Sequence, residues 1–497
     1  MKRYAKNRHL VLLIAILLAW LASPLATGWT SSVAATPQTK RAPATKPKEP
    51  ATSTPLAEAP PLISRVLTNG LEVVVLEDHS IPLVTVELAV KNGSFTEPPE
   101  LNGLSHLYEH MFFKSNRASA NREDYLKDIG QRGIVYNGST REEIVNYYFT
   151  TTTPNFAVAL RFLRDSVRYP LFDEQEFGQE REVVINELDR NSSNPYSAIG
   201  DEMNNRLFYK YPSRKSPGGN KQTVGTATTA QMRLIQGRYY VPNNSAIILT
   251  GDVKPEEAFR LTEELFGEWP RAEDPFKKYP LVEHPPLTGN EGSVLTAPVS
   301  NVIIDIGWQG PSIGKDDAAT YAADVFSYIL QQPDSRFQRE LVDTGLVNAV
   351  GVGYYTQRNV GPITIIAQTT PDKARAAVRA IYQQIARFND KDYFTDKQLE
   401  TAKAILEANE LFSREKLSEY THTISFWWSS TGLDYFRGYL KRLRATSRED
   451  ISRYVTTYIQ GKPHVGLALL SAESQKQAQL SQEDLIGEQK KAAAVGK

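Results

Sequence analysis

His106-Leu107-Tyr108-Glu109-His110 sets two imidazoles four residues apart, with a carboxylate three residues after the first and one before the second. On a helix this spacing brings both histidines onto neighbouring turns of one face, close enough to grip one metal ion. Glu109 can then reach a water at that metal without being a ligand. The run Leu104–Phe113 is apolar around these groups, as expected of a helix packed into a core. A metal held in such a dry, shaped place lowers the pKa of a water to about 7. The competing reading is a polar patch on a surface helix. Only seven histidines occur in 497 residues, however, and two of them fall here beside the glutamate.

A catalytic zinc usually keeps three protein ligands and leaves the fourth position to water. Candidates for the third lie in Glu180-Arg181-Glu182-Val183-Val184-Ile185-Asn186-Glu187-Leu188. Val183, Val184 and Leu188 make a helical stripe, and Glu180 and Glu187 stand two turns apart along one face. One carboxylate can bind metal while the other orients a histidine or a partner side chain. Taken alone, such a helix reads more simply as a solvated, charged face.

With these residues in view, the chain resembles the insulinase/pitrilysin family of zinc peptidases, in particular its shorter processing-peptidase-like members. The order His-x-x-Glu-His is the inverzincin signature. The resemblance runs from about Leu67 to about Leu470. Leu67-Thr68-Asn69-Gly70-Leu71-Glu72-Val73-Val74-Val75 is similar to the family's opening strand. Lys91-Asn92-Gly93-Ser94, Glu97, Gly103-Leu104-Ser105 and Phe113-Lys114 follow the pattern around the histidines. Tyr239-Tyr240-Val241-Pro242-Asn243-Asn244 and Gly251-Asp252-Val253 resemble the closing motifs of the family's first domain. The resemblance implies that His106, His110 and Glu187 bind Zn2+, that Glu109 is the general base, and that Glu180 is the family's additional functional glutamate. Asn137 matches a segment near the edge of the active-site sheet, where it would help a substrate add as an extra strand. A turn asparagine beside a glycine is the alternative for that residue. His79, His284, His422 and His464 lack metal-ligand spacing and read as ordinary polar or packing residues.

Lys2, Arg3, Lys6 and Arg8 precede an apolar run of thirteen residues, Leu10–Ala22, and Ser32-Val33-Ala34 and Val33-Ala34-Ala35 offer cleavage sites. Residues 1–35 therefore read as a signal peptide, and the protein as periplasmic or secreted. Thirteen apolar residues fall short of the roughly twenty that cross a bilayer. An uncleaved anchor through Leu10–Leu25 is the alternative. The chain has no cysteine, so an exported domain must rely on a large hydrophobic core rather than disulfides. Its 57 Lys and Arg balance 57 Asp and Glu, which supplies no general attraction for nucleic acid or anionic membrane.

Residues 36–61, rich in Pro, Ala, Thr and Lys, read as a flexible tether. Strand-like and helix-like stretches then alternate in two rounds. Val73–Leu76 and Val84–Val90 read as paired strands, with helices at Phe156–Tyr169 and Thr229–Tyr239. After the Pro-rich Glu283–Leu287, Val302–Trp308 is again a strand and Ala318–Leu330 again a helix. Tyr354-Tyr355 and Pro362–Ala367 suggest a returning hairpin, and Val465–Leu470 echoes Ala246–Thr250. The expected fold class is α+β: two homologous α/β-sandwich domains, 62–285 and 286–475, from a duplicated unit. The resemblance makes that pair half of a clam shell. A polar tail at 476–497 is expected to fray.

The resulting expectation is a zinc metalloendopeptidase cleaving peptides or small unfolded polypeptides, with Glu109 taking the proton of the attacking water. Family peptidases also carry an Arg and a Tyr in the second half, about seven residues apart around a Gly-Leu step. Within Ser335–Asn348 the Arg position is Leu341 or Val342 and the Tyr position is Asn348. The resemblance therefore implies a catalytic subunit whose paralogous, metal-free partner supplies the pair; a homodimer is the other pairing. The rival from another class is a non-catalytic, metal-binding scaffold of the same family. A dedicated maturation enzyme differs from the main reading only in substrate.

Overall fold

Val73-Val74-Val75 and Ile247-Ile248-Leu249 are unbroken apolar runs, and each is buried on both faces inside one sheet. The structure, a computed structural model, describes residues 61–487 apart from 120 and 121. The signal segment, the tether up to residue 60 and residues 488–497 lie outside the described residues.

The first sheet contains β1 (Ile63–Val66), β2 (Glu72–Glu77), β3 (Leu83–Val90), β4 (Val135–Thr140), β5 (Val145–Thr152) and β6 (Ser245–Gly251), in the order β1-β2-β6-β3-β5-β4. β2 and β6 run parallel; the other neighbours are antiparallel. The expected pairing of Val73–Leu76 with Val84–Val90 is corrected here, because β6 lies between them. Every residue of β6 is buried, and a central strand needs a hydrogen-bonding neighbour on each side. Local sequence cannot show a partner that arrives some 160 residues later.

The second sheet contains β7 (Glu291–Thr296), β8 (Val302–Gln309), β9 (Ala349–Tyr354), β10 (Pro362–Thr369) and β11 (Val465–Leu470), in the order β7-β11-β8-β10-β9. Without β1, the first sheet has the same order and the same single parallel pair. β11 and β6 hold the same place, so the echo between their sequences marks a duplication.

Seven helices place the site and close the sheets: α1 (Leu104–Phe112), α2 (Glu174–Ser193), α3 (Ser197–Leu207), α4 (Asp317–Gln331), α5 (Leu417–Ser430), α6 (Ala472–Ala478) and α7 (Gln482–Leu485). One face of each sheet carries helices of its own half. The other face is covered by a helix from the opposite half. Tyr420, Ile424 and Trp428 of α5 pack on Val74, Leu76, Ala89, Ala246 and Ile248 of the first sheet. Ile199, Met203 and Leu207 of α3 pack on Ile303, Val465, Leu467 and Leu469 of the second. Each half thus completes the other's core. No helix among the described residues is long and apolar enough to cross a membrane.

Glu87 of β3 has no solvent exposure and is held by Asn146 at 2.7 Å and by Nδ1 of His422 from α5. Burial works against a charge on His422, but the Glu87 hydrogen bond and charge outweigh it and raise its pKa above the ordinary value. A group raised in the folded state stabilises fully below its unfolded pKa, and the contribution fades as pH climbs through the folded one. His422→Ala leaves a buried carboxylate short of its cation, so a loss of about 3 kcal/mol is expected near pH 6. Denaturant unfolding at pH 6 and pH 9 checks this: the gap to wild type should narrow at the higher pH.

The polar tail expected to fray from 476 is ordered as far as 487. Leu480 and Leu485 are buried, and the Tyr382 hydroxyl donates to the Leu485 carbonyl at 2.5 Å. Two leucines are enough to anchor an otherwise polar stretch, which composition alone does not reveal.

Candidate metal centre

α1 begins where Gly103 takes a left-handed conformation (φ 89°) and the buried Glu97 carboxylate accepts the N–H groups of Gly103 and Ser105 at 2.8 and 2.6 Å. These bonds satisfy two of the N–H groups that the start of the helix leaves without an intrahelical partner. A side chain at Gly103 would also strike Gly219, whose Cα would lie 2.7 Å from the added Cβ. Leu104, Leu107, Tyr108 and Met111 face the core, and Phe112 stacks on Tyr147 at 3.6 Å. That leaves His106, Glu109 and His110 on the opposite, partly covered side.

α2 starts at an Asp173 cap that accepts from Gln175 and Glu176. It buries Phe177 and Val184, seven residues apart, and half-buries Leu188. Val183, expected in the same stripe, is 46% exposed, because the buried seam is narrower than the apolar run. Two turns of α2 then carry Glu180 and Glu187 past α1.

Nε2 of His106 and of His110 stand 3.9 and 3.7 Å from the same oxygen, Oε2 of Glu187. All three donors lie within 4.8 Å of one another, the one such group among the described residues. Ligands about 2.0–2.2 Å from a tetrahedral zinc are about 3.3 Å apart. The donor set therefore fits Zn2+ once the three side chains draw closer together. Burial, with the neighbouring His110, holds His106 down to about 3, so its ring is neutral and able to ligate. Glu180 Oε2 lies 3.3 Å from Nδ1 of His110, while its Oε1 accepts from Lys114 at 2.5 Å. Burial opposes a charge on Glu180, yet these two partners hold its carboxyl well below the usual range. On His110 burial also opposes charge, but Glu180, Glu109 and Glu187 outweigh it and raise its pKa.

Glu109 points from α1 onto β4. Burial pushes its carboxyl up to about 7, against the pull of His110 and Thr140, and the Thr140 hydroxyl donates to its Oε2 at 3.0 Å. A carboxyl poised there suits general base chemistry. Gly138 makes the room: a Cβ on it would lie 2.9 Å from both Cγ and Oε1 of Glu109. Gly138→Ala is therefore expected to displace the carboxylate and lower peptide hydrolysis by about 10²-fold, with zinc content unchanged. Activity and metal analysis on the same preparation check it.

β4 ends the sheet order, so its outer edge of N–H and C=O groups is open. Strand alternation puts Tyr136, Gly138 and Thr140 toward α1 and turns Asn137 to the other face. There Asn137 is exposed, paired with Tyr148 in the ladder, and its Oδ1 accepts the N–H of Gly138 at 3.0 Å. The structure thus gathers His106, Glu109, His110, Glu180 and Glu187, and leaves the Asn137 side chain apart from them. Thr140 and Gly138 carried no signal in the sequence, because their relevance depends on which face of β4 meets α1.

The insulinase (peptidase family M16) profile matches residues 72–216, and the peptidase M16 inactive domain profile matches 226–406. The chain belongs to the insulinase family of zinc peptidases. An uncharacterised zinc protease from Rickettsia felis is 25% identical over 355 residues, 71% of this chain and 84% of its own length. The solved structure of a protease from Helicobacter pylori is similar at a TM-score of 0.75 and 23% identity, covering 82% of this chain and 99% of its own. The first half of the periplasmic protease PqqL from Escherichia coli gives a TM-score of 0.71 at 16% identity, covering 89% of this chain and 100% of its own. These structural likenesses are likenesses of fold, and they place the chain among two-domain clam-shell halves.

The second half of this insulinase-family chain lacks the metal motif. α4 follows β8 and packs on β9 as α1 follows β3 and packs on β4, but it carries no histidine. Leu341 is buried in the second core, and the Asn348 backbone donates to Gln368. Arg336 is engaged by Asp392 at 2.9 Å and by Glu340. No arginine or tyrosine stands at either expected position.

Proposed function

We propose that this chain is the metal-bearing subunit of a zinc endopeptidase that cuts peptides or unfolded polypeptides. One observation carries the reading: His106, His110 and Glu187 converge to within 4.8 Å of one another while Glu109 lies against Gly138 and Thr140 of the edge strand β4. His106 and His110 through Nε2, and Glu187 through a carboxylate oxygen, would hold the zinc. A zinc ion there supplies Lewis acidity, making a water acidic enough to ionise near neutral pH and polarising a peptide carbonyl. An extended substrate adds alongside β4, on the edge that has no strand neighbour, displacing the Asn137 Oδ1 that accepts the Gly138 N–H at 3.0 Å. Glu109 accepts the proton of the attacking water and returns it to the leaving amine. Thr140 keeps that carboxylate aimed, and Glu180 keeps His110 in the tautomer that presents Nε2. Asn137 contributes through the backbone of the edge strand.

The residues at 341, 342 and 348 support a division of labour in which a paralogous, metal-free chain supplies the Arg and Tyr. The apolar leader supports an exported location, in keeping with a periplasmic relative in fold. The test measures zinc content and peptide hydrolysis for the chain alone and with such a paralogue. About one zinc per chain, and turnover that needs the partner, is expected. Full activity of the chain alone sinks the two-chain arrangement. Bound zinc without turnover in any combination favours the scaffold reading instead.

A further inference from the structure

We infer that Lys114 is a positioning residue for the metal centre, acting through Glu180 on His110. This role rests on the proposed ligation by His106, His110 and Glu187. Lys114 comes four residues after His110, just past the end of α1, and its N–H closes a turn onto the Met111 carbonyl at 3.2 Å. Its residue is 6% exposed, and its ammonium meets Glu180 Oε1 at 2.5 Å. The other oxygen of the same carboxylate stands 3.3 Å from His110 Nδ1. With Nδ1–H donated to Glu180, the lone pair of His110 sits on Nε2, the atom that faces Glu187 at 3.7 Å. One buried cation therefore ties the end of α1 to the middle of α2 and fixes which nitrogen of His110 is offered to a metal.

The two histidines are supported unequally. Nδ1 of His106 is buried with no hydrogen-bond partner among the described residues. The polar support of the pair falls on His110, and it runs back to Lys114. Taking away the Lys114 cation removes one charged partner of the buried Glu180 carboxylate. Without the ammonium, the Glu180 carboxylate loses its 2.5 Å contact at Oε1, and the oxygen that meets His110 Nδ1 is held less firmly.

The test uses the full chain, with chelator competition for the zinc dissociation constant and the visible spectrum of the Co2+-loaded protein as a report on ligand geometry. Lys114→Met and Glu180→Gln are each expected to weaken zinc binding about 10–100-fold and to change the Co2+ bands. The double variant should be no weaker than the worse single one, since both act on His110 as one unit. Lys114→Arg should recover most of the affinity. A folded Lys114→Met protein with wild-type zinc affinity and spectrum overturns the role, and so does an additive double variant. Should Lys114→Met fail to fold, the neutral pair Lys114→Gln with Glu180→Gln carries the same test: weakened zinc in a folded protein supports the role and unchanged zinc overturns it. A wild-type chain that binds no zinc at all refutes the ligand assignment itself, which is a separate failure.

Discussion

Glu109→Gln is expected to lower peptide hydrolysis by about 10²–10⁴-fold while the protein still binds zinc at wild-type stoichiometry. The amide keeps the size of the side chain and its hydrogen bond with Thr140, seen at 3.0 Å for the carboxylate. It cannot accept the proton of an attacking water at neutral pH. Glu109 is not among the three converging donors, so metal content should not move. Zinc analysis beside single-turnover hydrolysis separates the two effects. A variant that loses zinc along with activity would place Glu109 among the ligands. A variant that stays active would move the base elsewhere.

Glu187→Ala is expected to cost more zinc affinity than the about 10–100-fold typical of a change to a group that only supports a ligand. Its Oε2 is the atom nearest both imidazole Nε2 positions, at 3.9 and 3.7 Å. Without it, two histidines remain, one short of the three protein ligands a catalytic zinc usually keeps. Hydrolysis at limiting zinc should vanish, and excess zinc should restore only part of it. Competition with a chromophoric chelator gives the affinity directly. Glu180→Ala offers the contrast: it should weaken zinc less, because Glu180 touches His110 rather than the donor triangle. If Glu180→Ala weakens zinc more than Glu187→Ala does, the two roles are reversed.

The two histidines and the glutamate between them were legible because helical spacing is a local property: four residues along one helix bring two rings to 4.9 Å whatever the rest of the chain does. The seven-residue step from Glu180 to Glu187 is legible for the same reason. Helices such as Thr229–Tyr239 and strands such as Val302–Gln309 were readable from periodicity over a few turns or pleats. The duplication was readable too, since Val465–Leu470 and Ala246–Thr250 share one buried-strand pattern.

What depended on contacts between distant segments was not readable. β6 enters between β2 and β3, and α5 and α3 cross over to cover the opposite half's sheet. Composition of the last residues suggested fraying, yet Leu480 and Leu485 find a core to enter. At the site, the residue types came from sequence, whereas their division of labour came from the fold. Which carboxylate meets both imidazoles and which meets Lys114 depends on how α2 lies against α1. Which residues of β4 face Glu109 depends on a two-residue alternation whose phase only the packed helix sets. A linear chain specifies spacing within one element; the faces that elements turn to one another are chosen when burial of their apolar sides is satisfied together.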